Sequence, residues 1–201
     1  MRFIFLLALF TISSLALADV PDVRDGDIIF HTSHSSQSVA IQRATGSKFS
    51  HMGLILFQNG RPFVFEAVAT VRFTALNTWI HRGVGGHYVV KRLRNSKSIL
   101  NPLGRKALYR EALKFQGRPY DLVFNWSDER IYCSELVWKA YNRALGLHIG
   151  ELQKLKEFNL TDPLVKAKMH ERYGNTVPLN EPVISPGAMY ESPLLETVFD
   201  K

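Results

Sequence analysis

His51-Met52-Gly53-Leu54-Ile55-Leu56-Phe57 and Pro62-Phe63-Val64-Phe65-Glu66-Ala67-Val68 are two apolar runs held apart by Gln58-Asn59-Gly60-Arg61. Asn-Gly between such runs is the strongest short-range signal for a β-hairpin, because both central residues of a type I′ turn need positive φ. A two-residue Asn59-Gly60 loop sets Gln58 opposite Arg61, Ile55 opposite Val64, Gly53 opposite Glu66 and His51 opposite Val68. Glu66 then lies one diagonal step from His51 on the same sheet face, about 7–8 Å away at Cα and within reach of long side chains. Gly53 leaves room between them. A slip of one residue would put the two on opposite faces, so the turn decides the pairing. A carboxylate inside an apolar strand is costly unless it has a partner, and His51 is the partner this register supplies.

Outward from the hairpin, Asp27-Ile28-Ile29-Phe30 reads as a short buried strand entered through Asp25-Gly26, and His87 to Leu93 as a further strand. Ser35 to Ala44 reads as a short helix stopped near Gly46. Asn101-Pro102 is a helix start, with Asn as cap and Pro at the first helical position. Leu108, Ala112 and Phe115 share a face of that helix, and Gly117 ends it. Cys133 opens another helix, whose apolar stripe is Val137, Ala140, Tyr141 and Ala144 and whose stop is Gly146. Residues 150–172 read as a polar helix. The stretch from Asn175 onward, with Pro178, Pro182, Pro186 and Pro193, reads as an irregular tail. The fold class is α+β: a small antiparallel sheet with the Cys133 helix packed against it.

The first eighteen residues stand apart. A basic Met1-Arg2, an apolar Phe3 to Leu15 and a small-residue Ala16-Leu17-Ala18 form a secretory signal peptide, with the cut before Asp19. Residues 19–201 then make one domain, periplasmic or secreted, with no membrane span once the signal is removed. The net charge of +7 falls to +6 when Arg2 leaves, as it is the sole charged residue in that segment. The basic residues are scattered, which disfavours nucleic acid as a partner and suits polyanionic envelope material. The chain holds one cysteine, Cys133, so no internal disulfide is possible. Cysteine count alone does not separate a functional thiol from a buried inert one. No metal or other cofactor is expected. His31 with His34, and His81 with His87, lack the spacing and acidic company of a zinc site. His148 and His170 read as surface residues, Ser134 as part of the first helical turn, and Asp121 and Asp128 as turn caps.

A cysteine attacks as its thiolate, and a helix N-terminus favours that form. Tyr132-Cys133-Ser134-Glu135 puts the thiol there. A thiolate wants an imidazole beside it, oriented by a third group, and Cys133, His51 and Glu66 together satisfy that need.

These segments resemble the NlpC/P60 cysteine peptidases. Ser50 to Ile55, Asn59-Gly60 and Phe65-Glu66-Ala67 are similar to their histidine hairpin. Asp25 to Phe30 is similar to the strand upstream of it, and Gly117-Arg118-Pro119-Tyr120 followed by Tyr132-Cys133-Ser134 to their cysteine segment. Here the cysteine segment follows the histidine, the order of the permuted papain-like branch, and the chain looks closest to the YiiX/YaeF group of exported bacterial proteins. The resemblance spans roughly residues 25–190 and implies a circularly permuted papain-like fold. It also implies Cys133 as nucleophile, His51 as base, Glu66 as the orienting acid and Tyr120 as an oxyanion or substrate-binding residue. Tyr132 and Glu135 depart from the usual Asp and Gly of that segment, which puts the ordinary muropeptide specificity in question. The expected activity is an amidase or peptidase acting on peptide or amino-acid amides of the envelope, peptidoglycan-derived ones included. The alternatives are a thioester-forming acyltransferase or lipid hydrolase on the same fold, and a non-catalytic ligand-binding module.

Overall fold

The structure, a computed structural model, describes residues 22–201. The signal segment 1–18 and its cut before Asp19 lie outside the described residues. The elements in order are β1 (Ile28–His31), α1 (Ser36–Thr45), β2 (His51–Gln58), β3 (Arg61–Ala67), β4 (Val71–Ala75), α2 (Leu76–Ile80) and β5 (Val89–Leu93). They continue with α3 (Ser96–Ile99), α4 (Pro102–Leu113), α5 (Cys133–Leu145), β6 (Gln153–Lys154), α6 (Pro163–Tyr173), β7 (Pro182–Val183), α7 (Pro186–Tyr190) and β8 (Leu195–Asp200). Six strands form one antiparallel sheet in the order β4-β3-β2-β1-β5-β8, and β6 pairs with β7 separately.

The hairpin turn is as its sequence dictates. Asn59 and Gly60 have φ of 50° and 74°, the positive values of a type I′ turn. The ladder runs from Gln58↔Arg61 through Ile55↔Val64 to Leu54↔Phe65. Strand alternation divides the sheet's residues between two apolar clusters. Ile28, Phe30, Met52, Leu54, Leu56 and Phe65 join the larger one, which holds Leu108, Ala112 and Phe115 and the buried stripe of α5. Ile29, Ile55, Val64 and Val90 join the smaller one, around Leu76 and Trp79. Burying Leu136, Val137 and Tyr141 of α5 contributes about 1.5–3 kcal/mol for each large apolar side chain. Arg92 crosses from β5 to Asp27, with Nε 2.7 Å from Oδ1 and Nη2 2.7 Å from Oδ2, both residues being buried. Asp27 also accepts from Arg24 N at 2.7 Å, which fixes the chain entering β1.

Three expectations change, and one strand is new. Residues 150–172 do not make one helix: Gln153–Lys154 is extended, and α6 begins only at Pro163, where Asp162 Oδ1 accepts from Leu164 N at 2.9 Å and Val165 N at 3.3 Å. The tail after Asn175 is not irregular throughout. It holds α7 and a full edge strand, β8, which pairs with β5 across Val89↔Asp200 to Leu93↔Leu195. The helix from Pro102 ends at Leu113, so Phe115 is buried from the turn beyond it and Gly117 lies outside the helix. Strand β4 was not expected; it extends the sheet past the hairpin. Among the described residues no helix is long and apolar enough to cross a membrane.

Candidate active site

Cys133 is the first residue of α5 and is buried. The strand-like loop before it is tied down by backbone hydrogen bonds, one of them to the chain after β3. Tyr120 N donates to Ala69 O at 3.1 Å, Ile131 N to Pro119 O at 3.1 Å and Asp121 N to Ile131 O at 3.2 Å. Asp121, fully buried, accepts from Val123 N at 2.8 Å and Asn125 N at 2.6 Å, the turn-capping role expected of it. Ser134 donates its hydroxyl to Ile184 O at 2.8 Å, within the first helical turn. Tyr132, where the related segment carries Asp, is the helix cap; its hydroxyl accepts from Ile184 N at 3.1 Å and its ring meets Phe124 edge-on at 5.1 Å. Glu135 is three residues in, and its Oε2 accepts from Tyr132 N at 3.4 Å while Oε1 pairs with Lys139 Nζ at 2.7 Å. Both departures therefore serve the start of α5.

His51 opens β2, and its Nε2 lies 2.7 Å from Glu66 Oε2. An ionised carboxylate only accepts, so Nε2 carries the proton and Nδ1 remains for Cys133, the other hydrogen-bond partner of the imidazole. Burial pulls the imidazole toward neutrality. Hydrogen bonds to Cys133 and Glu66, and the charges of both, outweigh it and hold His51 up at about 9. Glu66 is fully buried and accepts from Thr74 Oγ1 at 2.6 Å, from Trp79 Nε1 at 2.9 Å and from the Arg82 guanidinium. Burial raises this carboxyl, but His51, Thr74 and Arg82 bring it down to about 2. The register also explains Gly53. A Cβ there would come within 2.4 Å of Val64 Cγ1 and 3.3 Å of Glu66 Cβ. His31, expected at the end of a strand, is buried in β1 and stacked on Trp79 at 3.9 Å; burial pulls it down to about 3, so it stays neutral. It packs behind the His51 ring, 5.3 Å between centroids.

Tyr120 and the thiol line the same slot. Burial and then the Cys133 charge push its phenol well above the ordinary value, so it remains a donor. Its hydroxyl accepts from Gln37 Nε2 at 3.3 Å. Two cavities meet there. A cleft of about 710 Å³ is lined by His51 and Tyr120, and a smaller apolar slot of about 60 Å³ is lined by Cys133 and Tyr120.

The structure thus brings Cys133, His51, Glu66 and Tyr120 to one place. His148 and His170 are exposed, away from the cavities. Asp128 is an ion-pair partner of Lys139 and Arg143 rather than a turn cap. Sequence reasoning missed Thr74, Trp79 and Arg82, the other three donors to Glu66, and Gln37. The first three reach Glu66 through tertiary packing and leave no local signal. Gln37, on α1, meets Tyr120 across 83 residues of chain.

The family described as "Permuted papain-like amidase enzyme, YaeF/YiiX, C92 family" matches residues 22–199. The protein YiiX of Escherichia coli (strain K12) is 50% identical over 173 residues, 86% of this chain and 84% of that one. A crystal structure described as the metalloprotein yiiX from Escherichia coli O157:H7 has a TM-score of 0.85 and 50% identity, covering 89% of this chain and 97% of that one.

Proposed function

We propose, because the chain belongs to the permuted papain-like amidase family of YaeF and YiiX, that it hydrolyses an amide bond through Cys133, His51 and Glu66. The observation that carries this reading is the imidazole held between the thiol at the start of α5 and a carboxylate sealed in the sheet.

The Cys133 thiolate attacks the carbonyl carbon, and the electron pair moves to the carbonyl oxygen. The backbone N–H of Cys133, one of the donors a helix start leaves without an intrahelical partner, and the Tyr120 hydroxyl stabilise that oxyanion. The His51 imidazolium gives its Nδ1 proton to the leaving nitrogen. The C–N bond breaks, the amine departs and an acyl thioester remains on Cys133. Neutral His51 then takes a proton from water, the hydroxide attacks the thioester, the C–S bond breaks and the thiolate–imidazolium pair returns. Glu66 stays ionised throughout and orients the ring.

The E. coli O157:H7 relative is described as a metalloprotein. Among the described residues here, no three His, Cys, Asp or Glu side chains gather as metal ligands. The Glu66 carboxylate is already taken by His51, Thr74, Trp79 and Arg82. The residues do not fit a metal, and no step is routed through one.

The substrates we propose are peptide or amino-acid amides of the cell envelope, reached after export. Export rests on the pattern of the first eighteen residues. It is tested by N-terminal sequencing of the protein from the envelope fraction, where a start at Asp19 is expected and a retained Met1 would refute it. The activity is tested with an activated acyl anilide. Wild type should release the amine and carry an acyl mass on Cys133 when quenched, and Cys133→Ala should do neither while keeping its circular dichroism. Turnover by Cys133→Ala would overturn the assignment.

A further inference from the structure

We propose that the substrate joins a short apolar acyl group to an anionic amine, and that these two parts lie on opposite sides of Cys133. This rests on the amidase reading above.

The two cavities share Tyr120 and Ile41 but divide the reacting pair between them. The slot is lined by Cys133 and not His51, the cleft by His51 and not Cys133. Amide cleavage assigns each a role. The acyl carbon becomes bonded to Sγ, so the acyl chain must extend from Cys133 into the slot. The nitrogen takes its proton from His51, so the amine portion must occupy the cleft. Phe124, Tyr132, Leu155, Phe158, Met169 and Ile184 line the slot, and none of its walls is charged. That surface favours apolar groups and penalises charge. Its volume of about 60 Å³, at roughly 10–15 Å³ per water-sized group, holds about four to six methylene-sized groups. The cleft, apolar over much of its surface, also carries charge. Arg82, Arg130 and His34 line it, and no Asp or Glu does. Arg130 is exposed, and the Arg82 side chain keeps 36% of its surface open while holding Glu66. Arg82 already shares its charge with Glu66, so Arg130, with no acidic side chain in the cleft, is the guanidinium that suits a carboxylate or similar anion. Hydrolysis of such a substrate gives a short apolar carboxylic acid and an anionic amine, with water supplying the oxygen to the acid and a proton to the amine.

The test is the purified protein with acetyl, butanoyl, hexanoyl and dodecanoyl amides of 4-aminobenzoate, of aniline and of 4-(aminomethyl)aniline, read by release of the aromatic amine. We expect kcat/KM to rise about fourfold per methylene from acetyl to hexanoyl and to fall at dodecanoyl. The 4-aminobenzoate amides should exceed the cationic ones at least tenfold. Arg130→Gln should lower turnover of the anionic amides about three- to fivefold more than it lowers turnover of the aniline amides. Met169→Trp should remove the advantage of hexanoyl over acetyl. Equal rates for acetyl and hexanoyl, a dodecanoyl optimum, or cationic amides cleaved as fast as anionic ones would overturn the inference and leave the amidase reading standing. No release from any amide, with no acyl mass on Cys133, would overturn the amidase reading itself.

Discussion

Replacing Glu66 by Gln removes one charge and almost no volume, so it isolates what the carboxylate does for His51. Four donors converge on Glu66: His51 Nε2, Thr74 Oγ1, Trp79 Nε1 and the Arg82 guanidinium. An amide offers one acceptor oxygen and an NH₂ that can only donate. At least one buried donor then loses its partner, at about 1–3 kcal/mol. The imidazolium also loses an anion. Raising His51 from 6.5 to about 9 corresponds to about 3 kcal/mol of imidazolium stabilisation, shared between Cys133 and Glu66. If Glu66 supplies about half, the variant imidazolium loses its proton about one pH unit or more below wild type, and above about 9 it is about 10- to 30-fold rarer than in wild type. The assay is the pH profile of turnover of an activated anilide, whose leaving nitrogen takes its proton from that imidazolium; alkylation of the single thiol by iodoacetamide, followed by mass, reports Cys133 separately. The alkaline limb of the profile, set in wild type at about 9, should move down by about one pH unit or more. Circular dichroism should be unchanged. An alkaline limb that does not move would refute the claim that the carboxylate holds the imidazolium.

Glu66 also sets an acid limb of stability. Its carboxyl is lowered from 4.5 to about 2, so the stabilisation is complete above 4.5 and is lost as pH falls through about 2, an effect of about 3 kcal/mol. Urea midpoints measured across that window should fall in wild type, and should fall less in Glu66→Gln. Gly53→Ala forces a methyl toward Val64 and Glu66 and should cost about 1–3 kcal/mol by denaturant unfolding, with slower alkylation of Cys133. A wild-type midpoint would show that the strands yield freely. Asp27→Ala leaves Arg92 buried without its anion and should cost about 3–5 kcal/mol, read as a large fall in Tm with no direct change at the thiol. Tyr120→Phe should reduce turnover of an activated anilide by about 10²-fold or more without changing the alkylation rate; equal turnover would remove the hydroxyl from the oxyanion site.

The hairpin was legible because Asn59-Gly60 specifies a turn whose geometry then fixes the facing pairs from Gln58↔Arg61 to Leu54↔Phe65 and so leaves His51 and Glu66 on one face, within side-chain reach. Helices α4 and α5 were legible from their caps and stripes, and α5 carried the thiol to its start. Other elements were hidden for identifiable reasons. Residues 195–200 include Thr197, Val198 and Phe199, residue types that favour a strand, but prolines at 178, 182, 186 and 193 dominate the reading of that segment. Asp162-Pro163 is a helix start of the same kind as Asn101-Pro102; giving it its due weight would have placed α6 correctly and left Glu151 to Thr161 outside it. The donors around Glu66 are a different matter. Thr74, Trp79 and Arg82 reach it only after β4 and α2 fold back beside the hairpin, and no local pattern announces such a cluster.

Strand β8 lies at one edge of the sheet and comes from the last residues of the chain, pairing with a strand about a hundred residues earlier. Such a distant partner makes its docking a late event in folding, because the loop must close before the pairing rewards it. Until then, the open rim is β5, with the apolar Val89 and Val90 in its ladder, a template on which a second unfinished chain could add a strand. A protein shortened by its last seven residues would keep the thiol, the imidazole and the carboxylate and yet be prone to self-association. The C-terminal segment therefore guards the sheet against its own copies.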